Sequence, residues 1–341
     1  MKMKLRIKRN LLATGAAVLL LSSCCAGCGQ KEEPILKEIT AEQIPNHLAQ
    51  WEEELPRDTE FSQIDRKAIR GLTIQKGNDT VFAISYEPRE YKESYDYWDI
   101  SIPYKSLVSV NTEEIYELFG AAGMLLGTEV SGVDLETAGL NDEAASIFIA
   151  YDATQRNDEK GQAQPIGSRM ILVGNEDGQD HYYVSLQGSD KIFVMDKRSL
   201  DELLNIDPYQ YILKIPVLVH INSVSEVNIS MDDKVHSISR QEDEWLMDGR
   251  KVEQDKAQKC YSRLMGMILA KELPEGFEPE EGREPVLVIQ YIRNIEEAPD
   301  IELRYYEYDE EYFSVSVNGE EHFLVEKESV DDLKRNIEEN F

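Results

Sequence analysis

The chain has 341 residues, of which 36 are Lys or Arg and 66 are Asp or Glu, and its formal net charge at pH 7 is −30. So acidic a body repels nucleic-acid phosphates, and since no basic stripe with interleaved aromatic residues offsets this charge, we expect no nucleic-acid partner. Three of the four cysteines lie within residues 24–28, which excludes an intramolecular disulfide framework in the folded body.

The N-terminus predicts an export signal. Five basic residues within positions 2–9 precede an apolar run over residues 11–21, which is too short to span a bilayer comfortably. Leu21-Ser22-Ser23-Cys24 follows and resembles the lipobox of bacterial lipoproteins. This resemblance implies cleavage before Cys24 and a diacylglyceryl group on its thiol, and two acyl chains anchor a protein stably where one binds marginally. Cys28 is a competing acceptor, although Cys25 instead of leucine stands three residues before it.

The predicted localisation is therefore extracytoplasmic, with the chain lipid-anchored to the cell membrane. The predicted organisation is a signal peptide over residues 1–23, a tether over 24–45, a first α+β repeat over 46–212 and a second over 213–341. Removing the signal peptide leaves 318 residues with a net charge of −35, enough for two domains of about 150 residues. Near the start of the body, Trp51 is expected to dock a weakly periodic segment.

Alternating apolar and polar residues predict antiparallel strands in the first half. Acidic residues just after Asn111, followed by apolar residues at helical spacing, predict a helix that ends near Leu125. A short helix at 199–204 closes the half. The predicted strands are 72–75, 81–86, 98–102, 147–151, 170–173, 182–186 and 192–195.

The second half repeats this order of elements. Its predicted helices are 252–270 and 329–336, and its predicted strands are 224–229, 235–238, 245–247, 286–291, 301–305, 313–317 and 323–325. Several residue types recur in the same order. The predicted equivalent pairs are Trp98 and Trp245, Gly139-Leu140 and Gly276-Phe277, Tyr183 and Phe313, Phe193 and Phe323, Lys197 and Lys327, and Leu200-x-x-Leu203 and Val330-x-x-Leu333. The predicted fold is α+β: two tandem repeats, each a mostly antiparallel β-sheet with one longer helix and one short C-terminal helix.

This order of motifs resembles the bacterial family catalogued as domain of unknown function 4340, over roughly residues 70–341. The clearest matches are Ile171-Leu172-Val173-Gly174, Tyr182-Tyr183-Val184 with Gly188, and Ile192-Phe193-Val194-Met195-Asp196. The second unit departs from the pattern, because Tyr305-Tyr306 stand where the family has glycine after the strand. The resemblance implies tandem copies in exported lipoproteins, some associated with gliding-type ABC transporters, and it implies no catalytic residues.

No catalytic or metal-binding motif stands out in the rest of the sequence. The five histidines lack metal-ligand spacing, and no hydrolase or nucleotide-binding fingerprint is present, so we predict no metal, no cofactor and no enzyme activity. Residues 175–180 and 309–311 are acidic enough to attract calcium, but hairpin turns are the favoured interpretation. The aromatic positions of residues 305–313 are expected to alternate into the core, and Cys260 is expected to be a buried apolar residue.

Three functions remain open at this point. The leading hypothesis is a non-enzymatic lipoprotein that binds a partner or acts as a scaffold, including as an accessory to membrane components of an ABC-type transporter. The alternatives are a cell-envelope glycan hydrolase with a carboxylate pair, suggested only by abundant acids, and a solute-binding lipoprotein. The predicted antiparallel units differ from the two α/β lobes that solute-binding proteins use.

Overall fold

Antiparallel β-sheet dominates the computed structural model, which describes residues 36–37, 39, 46–89, 91–92, 96–141, 143–152, 165–241 and 244–341. Cys24, the predicted signal peptide and most of the predicted tether lie outside these residues. The elements of the described chain follow in order: α1 (Leu48–Glu54), β1 (Ile69–Lys76), β2 (Asp79–Tyr86), β3 (Trp98–Ile102), α2 (Thr112–Gly123), β4 (Thr128–Val130), β5 (Ala145–Tyr151), β6 (Gly167–Glu176), β7 (His181–Leu186), β8 (Ile192–Asp196), α3 (Lys197–Leu204), β9 (Val224–Met231), β10 (Lys234–Gln241), β11 (Glu244–Met247), β12 (Arg250–Val252), α4 (Gln254–Met265), β13 (Leu269–Glu272), β14 (Leu287–Arg293), β15 (Ile301–Glu307), β16 (Tyr312–Val317), β17 (Glu320–Glu326) and α5 (Lys327–Asn340).

The strands form two antiparallel sheets, one in each half of the chain. The first has the order β3-β2-β1-β5-β6-β7-β8-β4, and the second has the order β12-β11-β10-β9-β14-β15-β16-β17-β13. In each sheet, hairpins build outward to one edge, a helix carries the chain to the opposite edge, and the chain returns to pair beside the first strand, β5 with β1 and β14 with β9. The result is a mixed fold of helices and antiparallel sheets, compatible with the predicted α+β class.

The predicted strands agree closely with the structure, and β3 has the predicted bounds. The predicted helix over 252–270 is wrong at its C-terminal end, because α4 stops at Met265, Gly266 is its C-cap, and Leu269–Glu272 forms β13. Pairing of Leu269 with Val325 of β17 gives the backbone of this segment hydrogen-bond partners that its short apolar pattern did not reveal. The short strands β4 and β12 and the helix α1 were also missed.

A single apolar core extends through both halves. Trp98 on β3 is 2% exposed, and its indole lies 4.9 Å from the Phe119 ring of α2, centroid to centroid. Trp245 of β11 belongs to the same cluster of buried residues. Burying a side chain such as Phe119 contributes about 1.5–3 kcal/mol, so both tryptophans and the facing helices stabilise the sheets from within.

Helix α1 covers the other face of the first sheet. Leu48 and Trp51 are buried against Ala83 and Phe148, which confirms that Trp51 docks this segment. Gly71 allows the close approach, since a Cβ built there would lie 2.7 Å from Leu48 Cδ2. A second small cluster on the sheet contains Leu140, Ile192 and the partly buried Tyr183.

Gly174 lets the loop before β5 cross the first sheet. A Cβ at Gly174 would lie 2.0 Å from the Ala138 carbonyl oxygen, which accepts a hydrogen bond from Asn175 N–H at 2.7 Å. In the second half, the sequence comparison places Tyr306 at the position of Gly174, and Tyr306 lies within β15. There the Tyr306 ring lies 4.3 Å from the Arg283 guanidinium instead. The glycine of the first half is therefore explained by a backbone crossing.

Tyr183 and Phe313, which the sequence comparison predicts to be equivalent, have different surroundings. Tyr183 packs in the cluster with Leu140, whereas Phe313 lies in the main core. Tyr182 packs against the main core and pairs with Met195, as Phe313 pairs with Val325. Tyr182 and Met195 are 13 positions apart and Phe313 and Val325 are 12 apart, so the first-half hairpin is one residue longer between these pairs.

The two halves pack against each other directly. Tyr104, which is fully buried, donates its O–H to Glu272 Oε1 at 2.6 Å, and its ring lies 5.2 Å from the Phe323 ring. Lys105 Nζ of the first half also lies 2.7 Å from Glu320 Oε1 of the second. Residues Glu33–Phe341 accordingly form one compact unit.

Candidate functional site

A cavity of about 100 Å³ lies at the junction between the two halves. Its first wall comes from the segments around β3, its second from the second sheet, and the connecting segment closes it between them. The lining residues are Tyr91, Lys92, Asp96, Asp99, Ser106, Leu107, Val108, Ser109, Val217, Leu218, His220, Ser223, Arg293, Pro299, Ile301, Val317 and Asn318. Hereafter we call it the junction cavity.

The first wall is a buried ionic cluster. Asp99, in β3, is 2% exposed, and its Oδ1 accepts a hydrogen bond from Lys92 Nζ at 2.5 Å. Arg89 Nη2 lies 3.6 Å from Asp99 Oδ2 and 3.9 Å from Glu87 Oε2. Burial raises the pKa of Asp99 above its ordinary value, against the opposing charge of Lys92. The cluster therefore holds carboxylates and cations together out of water, where pairing is required.

The second wall is centred on Arg293, the last residue of β14. Its backbone N–H donates to Asp300 Oδ1 at 2.7 Å, and its Nε donates to the Ser223 carbonyl at 3.1 Å. The guanidinium lies 6.0 Å from the centre of the Tyr91 ring, and burial lowers its pKa. Among the described residues, Ser223 O is the one acceptor of a hydrogen bond from this side chain. Its terminal nitrogens form no hydrogen bond with the residues that the structure describes.

Asp96 lines the cavity on the first wall, and charged residues on both walls affect its pKa. Burial raises its pKa to about 6, and the neighbouring charges of Lys92, Asp99 and Arg293 also act on it. The phenol of Tyr91 likewise has a raised pKa because of burial. Titratable groups perturbed by burial in a cleft are typical of functional sites, although structural ion pairs perturb pKa values too.

Two buried polar atoms of the cavity lining lack a hydrogen-bond partner in the described chain. They are Asp99 Oδ2 and the hydroxyl oxygen of Ser106, which is 9% exposed. A buried polar atom without a partner costs roughly 1–3 kcal/mol. Both residues line the junction cavity, and Asp99 Oδ2 also lies 3.6 Å from Arg89 Nη2.

Ser223 and His220, which line the cavity, both use their side chains for hydrogen bonds with backbone atoms. Ser223 Oγ donates to the His220 carbonyl at 2.7 Å, and His220 Nδ1 accepts from the Asn222 N–H at 3.3 Å. No hydrogen bond joins Ser223 Oγ to the His220 ring among the described contacts. The arrangement is suited to holding opposite charges on facing walls, which is binding chemistry.

A larger surface concavity of about 870 Å³ lies beside α5 and the β15–β16 turn. It is open to solvent and lined mostly by acidic and basic side chains, including Lys334, which pairs with Asp232 at 3.2 Å. Solvated ion pairs of this kind contribute about 0–1 kcal/mol and do not make a site.

The acidic hairpin segments are turns. Asp177 Oδ1 accepts from the backbone N–H groups of Gln179 and His181, and Asp309 Oδ1 accepts from those of Glu311 and Tyr312. These bonds confirm the turn interpretation. No group of His, Cys, Asp or Glu able to hold a metal ion occurs within the described ranges.

The remaining predicted positions divide between core and surface. Tyr305 and Phe313 are buried, as the alternation predicted, whereas Tyr306 and Tyr308 are partly exposed and lie beside Arg283 and Phe277 respectively. Cys260 is the remaining predicted core position, and its burial also determines its reactivity.

Cys260 is buried in α4, at 4% exposure, which confirms the sequence prediction. Burial raises its pKa to about 11, so the thiol is protonated and inert at neutral pH. The predicted lipidation site, Cys24, lies outside the described residues. Within them, no helix combines the length and apolar character that crossing a membrane requires.

Sequence reasoning missed the junction cavity. The signal nearest to it is the run of charged and tyrosine residues over 87–99, between two predicted strands. Its partner Arg293 is nearly two hundred residues away, so spacing gave no clue. The chain matches no protein-family model, no curated protein and no solved structure.

Proposed function

We propose that this chain is an extracytoplasmic lipoprotein, held at the cell membrane through Cys24, that binds a partner or ligand without catalysing a reaction. The address rests on the basic N-terminus, the apolar run over residues 11–21 and Leu21-Ser22-Ser23-Cys24. The observation that carries the binding role is the junction cavity, in which Asp99 Oδ2 and Ser106 Oγ form no hydrogen bond with the described residues and the Arg293 side chain bonds only to Ser223 O among them. This cavity also favours the solute-binding form of the hypothesis.

We further propose that residues 46–212 and 213–341 are tandem copies of one unit. The two sheets follow the same path, and Trp98 and Trp245 lie on corresponding strands, β3 and β11. Gly139 and Gly276 both have positive φ, 70° and 74°. With Tyr182 in place of Tyr183 as the equivalent of Phe313, these positions support kinship with the family catalogued as domain of unknown function 4340.

Mass spectrometry of the N-terminus tests the anchor. In the full-length chain purified from membranes, we expect a diacylglyceryl group on Cys24 as the first residue. Cys24→Ser should abolish the acylated peptide, and the control Cys28→Ser should retain it. Fractionation alone does not decide, because an uncleaved signal peptide also holds a chain at the membrane. Acylation that persists in Cys24→Ser would reject the assignment.

An association with ABC-type membrane components is the partner that the family resemblance suggests. Cross-linking of the anchored chain in intact cells, followed by identification of the attached proteins, tests it. We expect a permease or ATPase subunit of such a transporter among the products. Recovery of none across cross-linkers of different length would contradict the transporter role and leave the anchor and the binding role to their own tests.

A further inference from the structure

The two walls of the junction cavity differ in their charged lining residues. Asp96, Asp99 and Lys92 lie on the wall from the first half, two carboxyl groups beside one ammonium group, and Arg293 lies on the wall from the second. Arg293 keeps its terminal nitrogens free of hydrogen bonds within the described chain, while Asp99 Oδ2 is a buried acceptor that forms no hydrogen bond there, with Arg89 Nη2 3.6 Å away. Opposite charges on opposite walls suit a molecule that carries both signs.

The size of the cavity limits the molecule. A water molecule needs roughly 10–15 Å³ of such volume, so about 100 Å³ accommodates roughly seven to ten water-sized positions. Pockets for drug-sized ligands are several times larger, at about 300–1,000 Å³. The ligand therefore has fewer than about ten non-hydrogen atoms.

The polar and apolar parts of the lining specify the ligand further. Ser106 Oγ supplies an acceptor or donor that nothing in the described chain satisfies. Leu107, Val108 and Val217 supply apolar surface beside it. A small aliphatic side chain fits such surface, whereas a second charged group has no partner there.

Resting on the proposed binding role, we propose that the junction cavity binds a small zwitterion of the α-amino-acid class. The carboxylate of the ligand accepts hydrogen bonds from the Arg293 guanidinium, a geometry that arginine favours with carboxylates. Its ammonium group donates to Asp99 Oδ2, with Asp96 nearby. Both buried charges of the ligand are thereby paired, as burial requires.

Because the cavity walls come from both halves, the ligand also joins the halves. Arg293 belongs to the second sheet and Asp99 to the first. Anything that binds only the folded state stabilises it. Saturating ligand should therefore raise the melting temperature of the whole unit.

Calorimetric titration of the full-length, detergent-solubilised chain with alanine tests the proposal. We expect alanine to bind with a Kd below about 1 mM, and acetate or ethylamine alone to bind at least about tenfold more weakly. Arg293→Gln should weaken alanine binding by about tenfold or more, since a charge-assisted pair is lost. The matched control is Arg304→Gln, because Arg304 pairs with Glu302 at 2.6 Å and does not line the cavity.

Ser106→Ala keeps the test informative if Arg293→Gln fails to fold. Removing an unpartnered buried hydroxyl should raise the melting temperature of the ligand-free chain, while alanine affinity falls by about threefold or more. A merely structural role of Ser106 would not move these two quantities in opposite directions. Absence of alanine binding to the folded wild type, or equal binding of acetate or ethylamine, would overturn the proposal. If the same chain is acylated on Cys24, the result rejects the amino-acid ligand and leaves the lipid anchor supported.

Discussion

The buried ion pair between Asp58 and Arg169 offers a direct test of how the first half is held together. Arg169, on β6, is fully buried, and its guanidinium contacts Asp58 Oδ2 through Nη2 at 2.8 Å and through Nε at 3.0 Å. It also donates to Ser62 O and Ser62 Oγ, at 2.7 and 2.9 Å. Tyr151 O–H completes the Asp58 carboxylate from the other side, at 2.5 Å. These contacts fasten the segment before β1 to the sheet.

Asp58→Asn removes the counter-ion and leaves the Arg169 charge buried. Breaking one side of a buried pair costs about 3–5 kcal/mol. The Asp58 side chain is 20% exposed, so we expect the lower end, about 3 kcal/mol. The matched control is Glu129→Gln, because Glu129 pairs with Lys191 at 3.0 Å while both side chains are more than half exposed. Its expected cost is below about 1 kcal/mol.

Urea unfolding followed by tryptophan fluorescence measures both variants. Trp51 and Trp98 report from the first half and Trp245 from the second. With an unchanged slope against urea, the shift in midpoint gives the change in the free energy of unfolding. If Asp58→Asn and Glu129→Gln lower the free energy of unfolding equally, burial does not explain why the Asp58–Arg169 pair stabilises the fold.

Three further predictions rest on individual side-chain and backbone contacts. Gly174→Ala places a methyl group 2.0 Å from the Ala138 oxygen, so the free energy of unfolding should fall by about 1–3 kcal/mol in the same urea assay. Asp96 has a folded pKa of about 6, above the ordinary 3.8, so its contribution to stability is present below about pH 4 and lost as pH rises through about 6. Thermal unfolding should accordingly show Asp96→Asn gaining stability over the wild type across that window, by up to about 3 kcal/mol. Gln290→Met removes the bonds that the Gln290 amide makes to Lys37 N–H and O, at 2.9 and 2.6 Å, so trypsin should cleave after Lys37 about tenfold faster or more, as measured by peptide mass.

Each of these predictions can fail separately. Gly120→Ala in α2 is the control for Gly174, because a Cβ there meets nothing nearer than 3.9 Å and should raise stability by about 0.5–1 kcal/mol. Gln210→Met changes an exposed glutamine and should leave cleavage after Lys37 unaltered. A stability difference between wild type and Asp96→Asn that is constant from about pH 4 to about pH 7 would contradict the assigned titration.

The elements that sequence predicted well are those whose periodicity continues for five residues or more. The strand at Trp98–Ile102 alternates apolar and polar residues in sequence, and the helix at Thr112–Gly123 has its buried residues at helical spacing. Strands β4 and β12, at three residues each, are too short to show a period, and they exist because edge pairing satisfies their backbone. The same limit explains the overlong helix before Leu269, where apolar residues continued past the helix end.

The candidate site could not be predicted in the same way, because its residues meet through packing of the two halves. Asp99 looks like a polar residue in an alternating strand, and Arg293 looks like the exposed end of another. Their burial follows from the junction between the sheets, which no local pattern encodes. The composition shows only that carboxylates are abundant. The informative feature is which buried carboxylate oxygen lacks a hydrogen-bond donor among the described residues.

The overall charge of the chain bears on which ligand the junction cavity can take. A body with net charge −30 raises the electrostatic cost of bringing a small anion to its surface and favours cations there. A free carboxylate would meet this repulsion before it reached Arg293, and a free ammonium would have to compete with the cations that already pair with Asp99. A zwitterion carries no net charge, so the body neither repels nor attracts it at long range, and its two ends are paired only inside the cavity. The acidic surface and the charged groups on the two cavity walls therefore both favour a zwitterion over a free carboxylate or a free ammonium.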